Sequence, residues 1–255
     1  MTEYLPVSSS AHLVLVPHIL GWHFPVREAF VFDVLVQLGT LIGVMAYFAQ
    51  DILDIAKHMI QGLIARKPLQ HPSARLGWLL GVATVPAAVG GLLFKEEIVG
   101  YFESPRAALA FLLFTAGLLT VTEFLAKKHR GQVRLKDAVG IGFAQLLAIM
   151  PGISRSGATI CAGILMGLSR TAAARFSFLM SIPVMLGASL VAADDLVRYP
   201  EVLERSLGPI VVGMLVAAVT GYLVIRWFLN FLKTQSLLWF ALYCALAGAI
   251  GLIWL

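Results

Sequence analysis

The chain has 255 residues, 59% of them hydrophobic and 13% charged, with 19 Lys and Arg against 14 Asp and Glu. A soluble domain runs at about 45–50% apolar and about 25% charged, so this composition excludes a soluble enzyme, a disordered chain and a nucleic-acid module. An outer-membrane barrel would alternate apolar and polar residues along its strands, which this sequence does not do; the class that fits is an all-α polytopic membrane protein.

In chain order, the first apolar stretch is residues 7–20, which follows Pro6 and the run Ser8-Ser9-Ser10. It is too short to span, since a crossing helix needs about 20 mostly apolar residues. Six stretches are long enough: 28–50, 75–94, 106–126, 172–194, 207–231 and 236–255. Between them, 51–74 and 127–136 read as loops. Residues 137–150 and 156–168 are two short limbs either side of Pro151-Gly152. That is the length of a re-entrant pair, which enters and leaves a membrane by one side. Residues 7–20 read as the second limb of an equivalent pair whose first limb lies ahead of Met1. Cys161 and Cys244 sit in apolar stretches and read as core residues.

Charge placement orients these elements. Lys and Arg favour short cytoplasmic loops. Lys57, Arg66, Lys67, Arg75, Lys127, Lys128, Arg130, Arg134, Lys136, Arg170, Arg175, Arg226 and Lys233 fall on one side if the six spans alternate; Arg27, Lys95, Arg106, Arg198 and Arg205 fall on the other. The second side is also acidic, with Glu96, Glu97, Glu103, Asp194, Asp195, Glu201 and Glu204. The first side is therefore the cytoplasm. The 7–20 segment then dips in from outside and the 137–168 pair from inside, each followed by three spans. Residues 1–126 and 127–255 form two halves of opposite orientation, an inverted-topology repeat. The letters align weakly, Pro6-x-x-Ser9 with Pro151-x-x-Ser154 and Phe30-x-Phe32 with Phe176-x-Phe178.

Both re-entrant tips are polar, and each opens a short helix. A helix start offers free N–H groups and a positive dipole end, which suits a phosphate. Arg155 is the sharpest signal, because a permanently charged, planar guanidinium inside a membrane is costly and binds phosphate bidentately. Ser154, Ser156, Gly157 and Thr159 beside it fit an anion cradle, as do Ser8 and Ser10 at the other tip. They equally fit a tight turn and helix caps. Ser9 and His12 are three apart and share a helix face, so serine can serve as nucleophile with histidine as its acid or base; a cap and a core histidine explain the same spacing. Glu3 is a base, a proton shuttle or an oxygen ligand for Mg²⁺ or Ca²⁺, or an ordinary tail residue. Glu123 reads as a helix-end partner of Lys127. Gln145, six residues before Pro151, either lines the site or bonds between helices. Asp33 and Gln37 are further polar groups in the apolar zone.

Thr2 to His12 and Pro151 to Thr159 together resemble the bacterial undecaprenyl-diphosphatase family, the bacitracin-resistance proteins. The family pattern is a glutamate-bearing stretch running into Thr-Glu-Phe-Leu-Pro-Val-Ser-Ser-x-Gly-His, and later Pro-Gly-x-Ser-Arg-Ser-Gly-Ala-Thr. The likeness extends through Gly163 to Arg170 and Phe176 to Phe178, and so covers nearly the whole chain. The resemblance implies hydrolysis of undecaprenyl diphosphate to undecaprenyl phosphate, the lipid carrier of cell-wall synthesis. It makes Ser9 the candidate nucleophile, His12 its acid/base partner, and Arg155 the diphosphate clamp. Glu3 becomes the second glutamate of a pair linked to catalysis and a divalent cation; attack by water would use the same residues. It implies a bacterial inner-membrane enzyme with its site open to the periplasmic face, acting on a polyprenyl diphosphate lipid, and a homodimer is compatible with it. Ala11 stands where the family has glycine. The first family glutamate and the first limb are expected in an upstream stretch of about 15–20 residues. The competing reading is a transporter or flippase of a polyprenyl phosphate, since inverted repeats with broken helices are also a transporter layout.

Overall fold

The computed structural model describes residues 1–22, 26–94, 104–126, 130–198 and 200–254. These residues fold into helices and form no strand. In chain order the helices are α1 Ser9–Leu20, α2 Val26–Tyr47, α3 Ala49–Ile64, α4 Pro72–Leu93, α5 Pro105–Leu125, α6 Leu135–Leu147, α7 Arg155–Leu165, α8 Arg170–Arg198, α9 Pro200–Phe231 and α10 Leu238–Trp254. Four segments are long and apolar enough to cross a membrane: Pro72–Leu93, Pro105–Leu125, Arg170–Ser189 and Gly208–Phe231. A fifth crossing arises if the bent pair Leu35–Tyr47 and Ala49–Ile64 counts as one span, and α1 and α10 are shorter apolar helices. The chain is a multi-pass membrane protein, with four or five such crossings among the described residues where the sequence suggested six. The expected outer acidic residues Glu96, Glu97 and Glu103 and the basic pair Lys127 and Lys128 lie outside the described residues.

The stretch read as a loop at 51–74 is mostly helix. α3 turns 75° away from the end of α2 at Phe48. Its apolar residues Ile52, Ile55 and Met59 recur at helical spacing, while Asp54, Lys57, His58 and Gln61 are polar, so it is amphipathic rather than uniformly apolar. The helix docks where α4 has no side chain: a Cβ on Gly77 would lie 2.3 Å from Met59 Sδ and 2.7 Å from Ile55 Cγ2. An amphipathic helix turned sharply from its neighbour suits a membrane–water interface.

Small residues set the closest helix contacts, as expected where hydrophobic burial cannot drive one apolar helix onto another. α2 lies against α9 through Gly39 and Gly43, four residues apart; Cβ atoms there would stand 2.4 Å from Met214 O and 2.5 Å from Ala218 O. α6 reaches α4 in the same way, with Gly142 against Ala83 O.

The bundle end reached by the last turn of α7 is tied by ion pairs. Arg130 bonds Asp137 Oδ1 at 2.5 Å and Met166 O at 2.9 Å, and its backbone pairs with Gly167 and Ser169. Burial opposes the Asp137 charge, yet the Arg130 guanidinium and the Arg134 N–H outweigh it and hold the carboxyl below its ordinary value. That contribution to stability is present above the ordinary carboxylate range and is lost as pH falls through the lowered value. Glu123 is gripped by Arg170 through Nε and Nη2 and accepts from Leu237 N at 2.8 Å; its expected partner Lys127 lies outside the described residues. Arg175 pairs with Asp51 across α8 and α3.

Gly39→Val is expected to force α2 and α9 apart. Overpacking of this kind costs about 1–3 kcal/mol. The measurement is thermal unfolding in detergent, and an unchanged melting temperature would show that the contact can relax.

Candidate anion-binding site

Two helix starts meet inside the bundle. Ser8 caps α1, accepting from Ala11 N at 3.3 Å, and Ser154 caps α7, accepting from Gly157 N at 3.1 Å. The chain before each cap is irregular, and it finds its partners across the gap. Gly152 N donates to Ser10 Oγ at 3.0 Å, and Ser156 Oγ donates to Leu5 O at 2.9 Å. Thr115, midway along α5, accepts from Ser154 N at 3.1 Å and donates toward Gly152 O at 3.2 Å. Tyr4 is fully buried, donates to Thr40 O at 2.8 Å and packs edge-on to Phe178. Gly152 has φ 95°, and a Cβ there would stand 2.1 Å from Ala108 O, so both the turn and the close approach require glycine.

At the meeting point, Glu3 joins the two helices. Arg155 Nη2 donates to Glu3 Oε1 at 2.9 Å, and Ser9 Oγ donates to Glu3 Oε2 at 2.5 Å. The two charged side chains are only 17% and 15% exposed. Arg155 Nη1 is buried and has no partner. The first turns of α1 and α7 add N–H groups without intrahelical partners.

The expected residues divide into two sets. Glu3, Ser9 and Arg155 form one hydrogen-bonded cluster. Ser9 does not touch His12, because the His12 ring is held elsewhere: Nδ1 lies 2.7 Å from Ser8 O, and Nε2 lies 2.6 Å from the Tyr243 hydroxyl. Ser8 O only accepts, so Nδ1 carries a proton, and in the neutral ring Nε2 accepts from Tyr243. Ser8 and Ser154 are caps. Ser10 and Ser156 tie the two tips, and Ser154 Oγ lies 3.2 Å from Ser156 Oγ. Thr159 is fully buried and bonds Arg155 O and Ser177 Oγ, bracing α7 against α8. Gly157 packs toward Pro6.

Sequence reasoning passed over Tyr4, Thr115 and Tyr243. Only the adjacency of Tyr4 to Glu3 offered a signal; Thr115 and Tyr243 look like ordinary residues of apolar spans. For a divalent cation the site offers one carboxylate, Glu3. Among the described residues no group of three His, Cys, Asp or Glu side chains gathers. That donor set suits a cation that takes one or two carboxylates and completes its shell with substrate phosphate and water, as Mg²⁺ does.

Fold and site together define a multi-pass helical membrane protein that packs two polar helix starts around a buried guanidinium. The family model described as Bacitracin resistance protein BacA matches residues 1–250, and the chain belongs to that family. It is 43% identical over 253 residues to the undecaprenyl-diphosphatase of Geobacter metallireducens, covering 98% of this chain and 91% of that one. It is 41% identical over 254 residues to the undecaprenyl-diphosphatase of Rubrobacter xylanophilus, covering 98% and 93%. For the protein of the same name from Chloroherpeton thalassium the identity is 40% over 259 residues, covering 97% and 90%.

Gly152→Ala should push the turn off Ala108 and break the Gly152–Ser10 bond. Strain at such a backbone position costs about 1–3 kcal/mol. The expected result is a lower melting temperature together with a loss of anion binding or turnover, and full retention of both would contradict the role given to this turn.

Proposed function

We propose that the chain hydrolyses undecaprenyl diphosphate to undecaprenyl phosphate and inorganic phosphate, the activity carried in the names of its relatives. The observation that carries this reading is Arg155: of its two terminal guanidinium nitrogens, Nη2 is held by Glu3 and Nη1 is buried without a partner. An empty donor on a fixed cation seats a phosphate oxygen. Phosphoryl transfer asks mostly for positioning and charge stabilisation, and Arg155 with two helix N-termini supplies both. The Ser9–Glu3 bond is that of a nucleophile and its base. Ser9 Oγ attacks the terminal phosphorus, its proton passes to Glu3, and the bond to the lipid phosphate oxygen breaks; water then releases the phosphate from Ser9. Direct attack by water with Glu3 as base uses the same groups. His12 sits one turn along α1 from Ser9, but its ring is committed to Ser8 O and the Tyr243 hydroxyl, so an acid/base role there would require one of those bonds to break. Glu3 together with substrate phosphate would hold a divalent cation, which would offset charge on the phosphates.

We read the helices as six spans and two re-entrant segments in an inverted repeat, taking the four long helices, the bent α2–α3 pair and the shorter α10 as the spans and α1 and α6–α7 as the short segments. The charge bias supports a bacterial cytoplasmic membrane protein whose site opens to the periplasm, where the diphosphate enters while the prenyl chain stays in lipid.

Phosphate release in detergent tests the reading, because no membrane then separates two sides and a transporter would release none. Arg155→Ala should abolish release. Arg155→Lys should lower kcat/KM by about 100-fold or more, since lysine keeps the charge but loses the planar fork. Near-normal turnover of the lysine variant would remove the clamp. Ser9→Ala at full rate would leave direct water attack as the mechanism.

Orientation is checked by impermeant thiol labelling of intact cells. Gly208 and Gly131 are exposed and have open space for a Cβ. Gly208→Cys should label from outside and Gly131→Cys should not; the reverse pattern would invert the topology.

A further inference from the structure

Among the described residues, three buried side-chain atoms lack a hydrogen-bond partner, and they belong to two residues: Arg155 Nη1, and both Nε2 and Oε1 of Gln145. Gln145 is 2% exposed. It lies on α6, the limb that leads into the Pro151 turn, while Arg155 opens α7, the limb that leaves it. The sequence left two roles for this glutamine, lining the site or bonding between helices. Neither end of its carboxamide bonds to another helix, so the second role is not filled.

Gln145 is two residues before Leu147, the last residue of α6, and therefore about 3 Å from that end of the helix. α6 and α7 pack on each other, and the turn 148–154 joins this end of α6 to Arg155, the first residue of α7. Gly142 and Leu146 mark the side of α6 that faces α4, at Ala83 and Gly90. Gln145 is turned about 60° from Gly142 round the helix, onto the stripe of Ala138 and Ile141, both of them fully buried.

A buried carboxamide with both ends empty is costly to keep unless something fills it. The empty N–H suits a phosphate oxygen. The empty carbonyl oxygen needs a donor, which a fully ionised phosphate lacks. Water both donates and accepts, and hydrolysis consumes one water by either route above. We infer that Gln145 holds and orients the water that attacks phosphorus, acting as a positioning residue for hydrolysis. The inference rests on the phosphatase reading of the site. The water oxygen forms the new bond to phosphorus as the bond to the leaving oxygen breaks: in the direct route the water proton passes to the Glu3 carboxylate and the lipid phosphate leaves, and in the serine route Glu3 returns the proton it took from Ser9 to Ser9 Oγ, takes the water proton in its place and loses it to solvent. Gln145 exchanges no proton.

The test uses the full chain in detergent with undecaprenyl diphosphate. Gln145→Met fills a similar volume without polar atoms, and Gln145→Asn keeps the carboxamide but withdraws it by one methylene. Both should lower kcat by about tenfold or more, as misplacement of a reacting group does, with KM within about twofold. The melting temperature of Gln145→Met should stay level or rise, because removing an unpaired buried polar group does not destabilise. If Gln145→Met does not fold, Gln145→Asn is read by the same criteria. Unchanged kcat in a folded variant overturns the inference. So does a loss of kcat matched in both variants by a fall in melting temperature, which assigns Gln145 to packing. A wild-type chain that releases no phosphate sinks the phosphatase reading itself, and this inference with it.

Discussion

Irregular backbone enclosed in an apolar bundle must find every hydrogen-bond partner within the protein. Residues 1–8 and 148–154 are such backbone, and the structure is arranged around satisfying them. Each tip supplies what the other lacks, Gly152 to Ser10 and Ser156 to Leu5. Neighbouring helices supply the rest, with Tyr4 reaching back to Thr40 and Thr115 reaching into the second tip. Breaking one tip would therefore expose groups on the other. This explains why so many hydroxyls expected to line an anion pocket are bonded to protein. The cradle is built first from these residues, and few polar atoms remain free.

The same constraint sharpens the chemistry. A guanidinium withdrawn from water is tolerated when it is paired, and Glu3 provides the pair. But Glu3 is monodentate on Arg155, because its second oxygen is taken by Ser9. One carboxylate thus does two things: it leaves Arg155 Nη1 without a partner, and it accepts the Ser9 hydroxyl. At the other end of the bundle Arg170 grips Glu123 with two nitrogens, and Arg130 bonds Asp137 and two carbonyls. Arg155 differs from both in keeping a buried guanidinium nitrogen without a partner.

Much of this was legible in the sequence because apolar length and motif letters are local signals. Most helices begin and end within a few residues of the apolar stretches, α9 starting seven residues ahead of 207 at Pro200, and Glu3, Ser9 and Arg155 do gather. α3 was missed because it is amphipathic, and a rule that looks for uniformly apolar runs reads its Asp54, Lys57 and Gln61 as loop. The expected Ser9–His12 pair failed for a different reason. Spacing of three puts two residues on one helix face, but it says nothing of what else reaches them. Tyr243, 231 residues away from His12 in the chain, claims the imidazole. Thr115 was invisible for the same cause: its role depends on a turn brought to it by tertiary packing.

The contacts also bear on the internal repeat. The letters align Ser9 with Ser154, but the caps align Ser8 with Ser154, one residue earlier, so Ser9 and Arg155 each stand first in their helix. The first tip has one residue fewer between its proline and its cap. It meets the shortage with a positive φ of 64° at Ser8, where the second tip places its positive φ at Gly152. In that register the supporting contacts correspond. Cys244 of α10 lies 3.5 Å from Pro6 O in the first tip, as Thr115 of α5 lies 3.2 Å from Gly152 O in the second. α2 packs on α9 as α8 packs on α4, although a half-open pocket of about 310 Å³, lined also by Leu69, Gln70 and residues 131–133, lies at the second pair where glycines close the first. The correspondence supports two halves of opposite orientation. It also locates where they diverge: at the first position of the two short helices, one half offers a hydroxyl and the other a guanidinium, and a single carboxylate binds both. A strictly symmetric pair would have offered two hydroxyls or two cations. The difference between the halves is what lets one Glu3 carboxylate hold a serine hydroxyl and a guanidinium side by side.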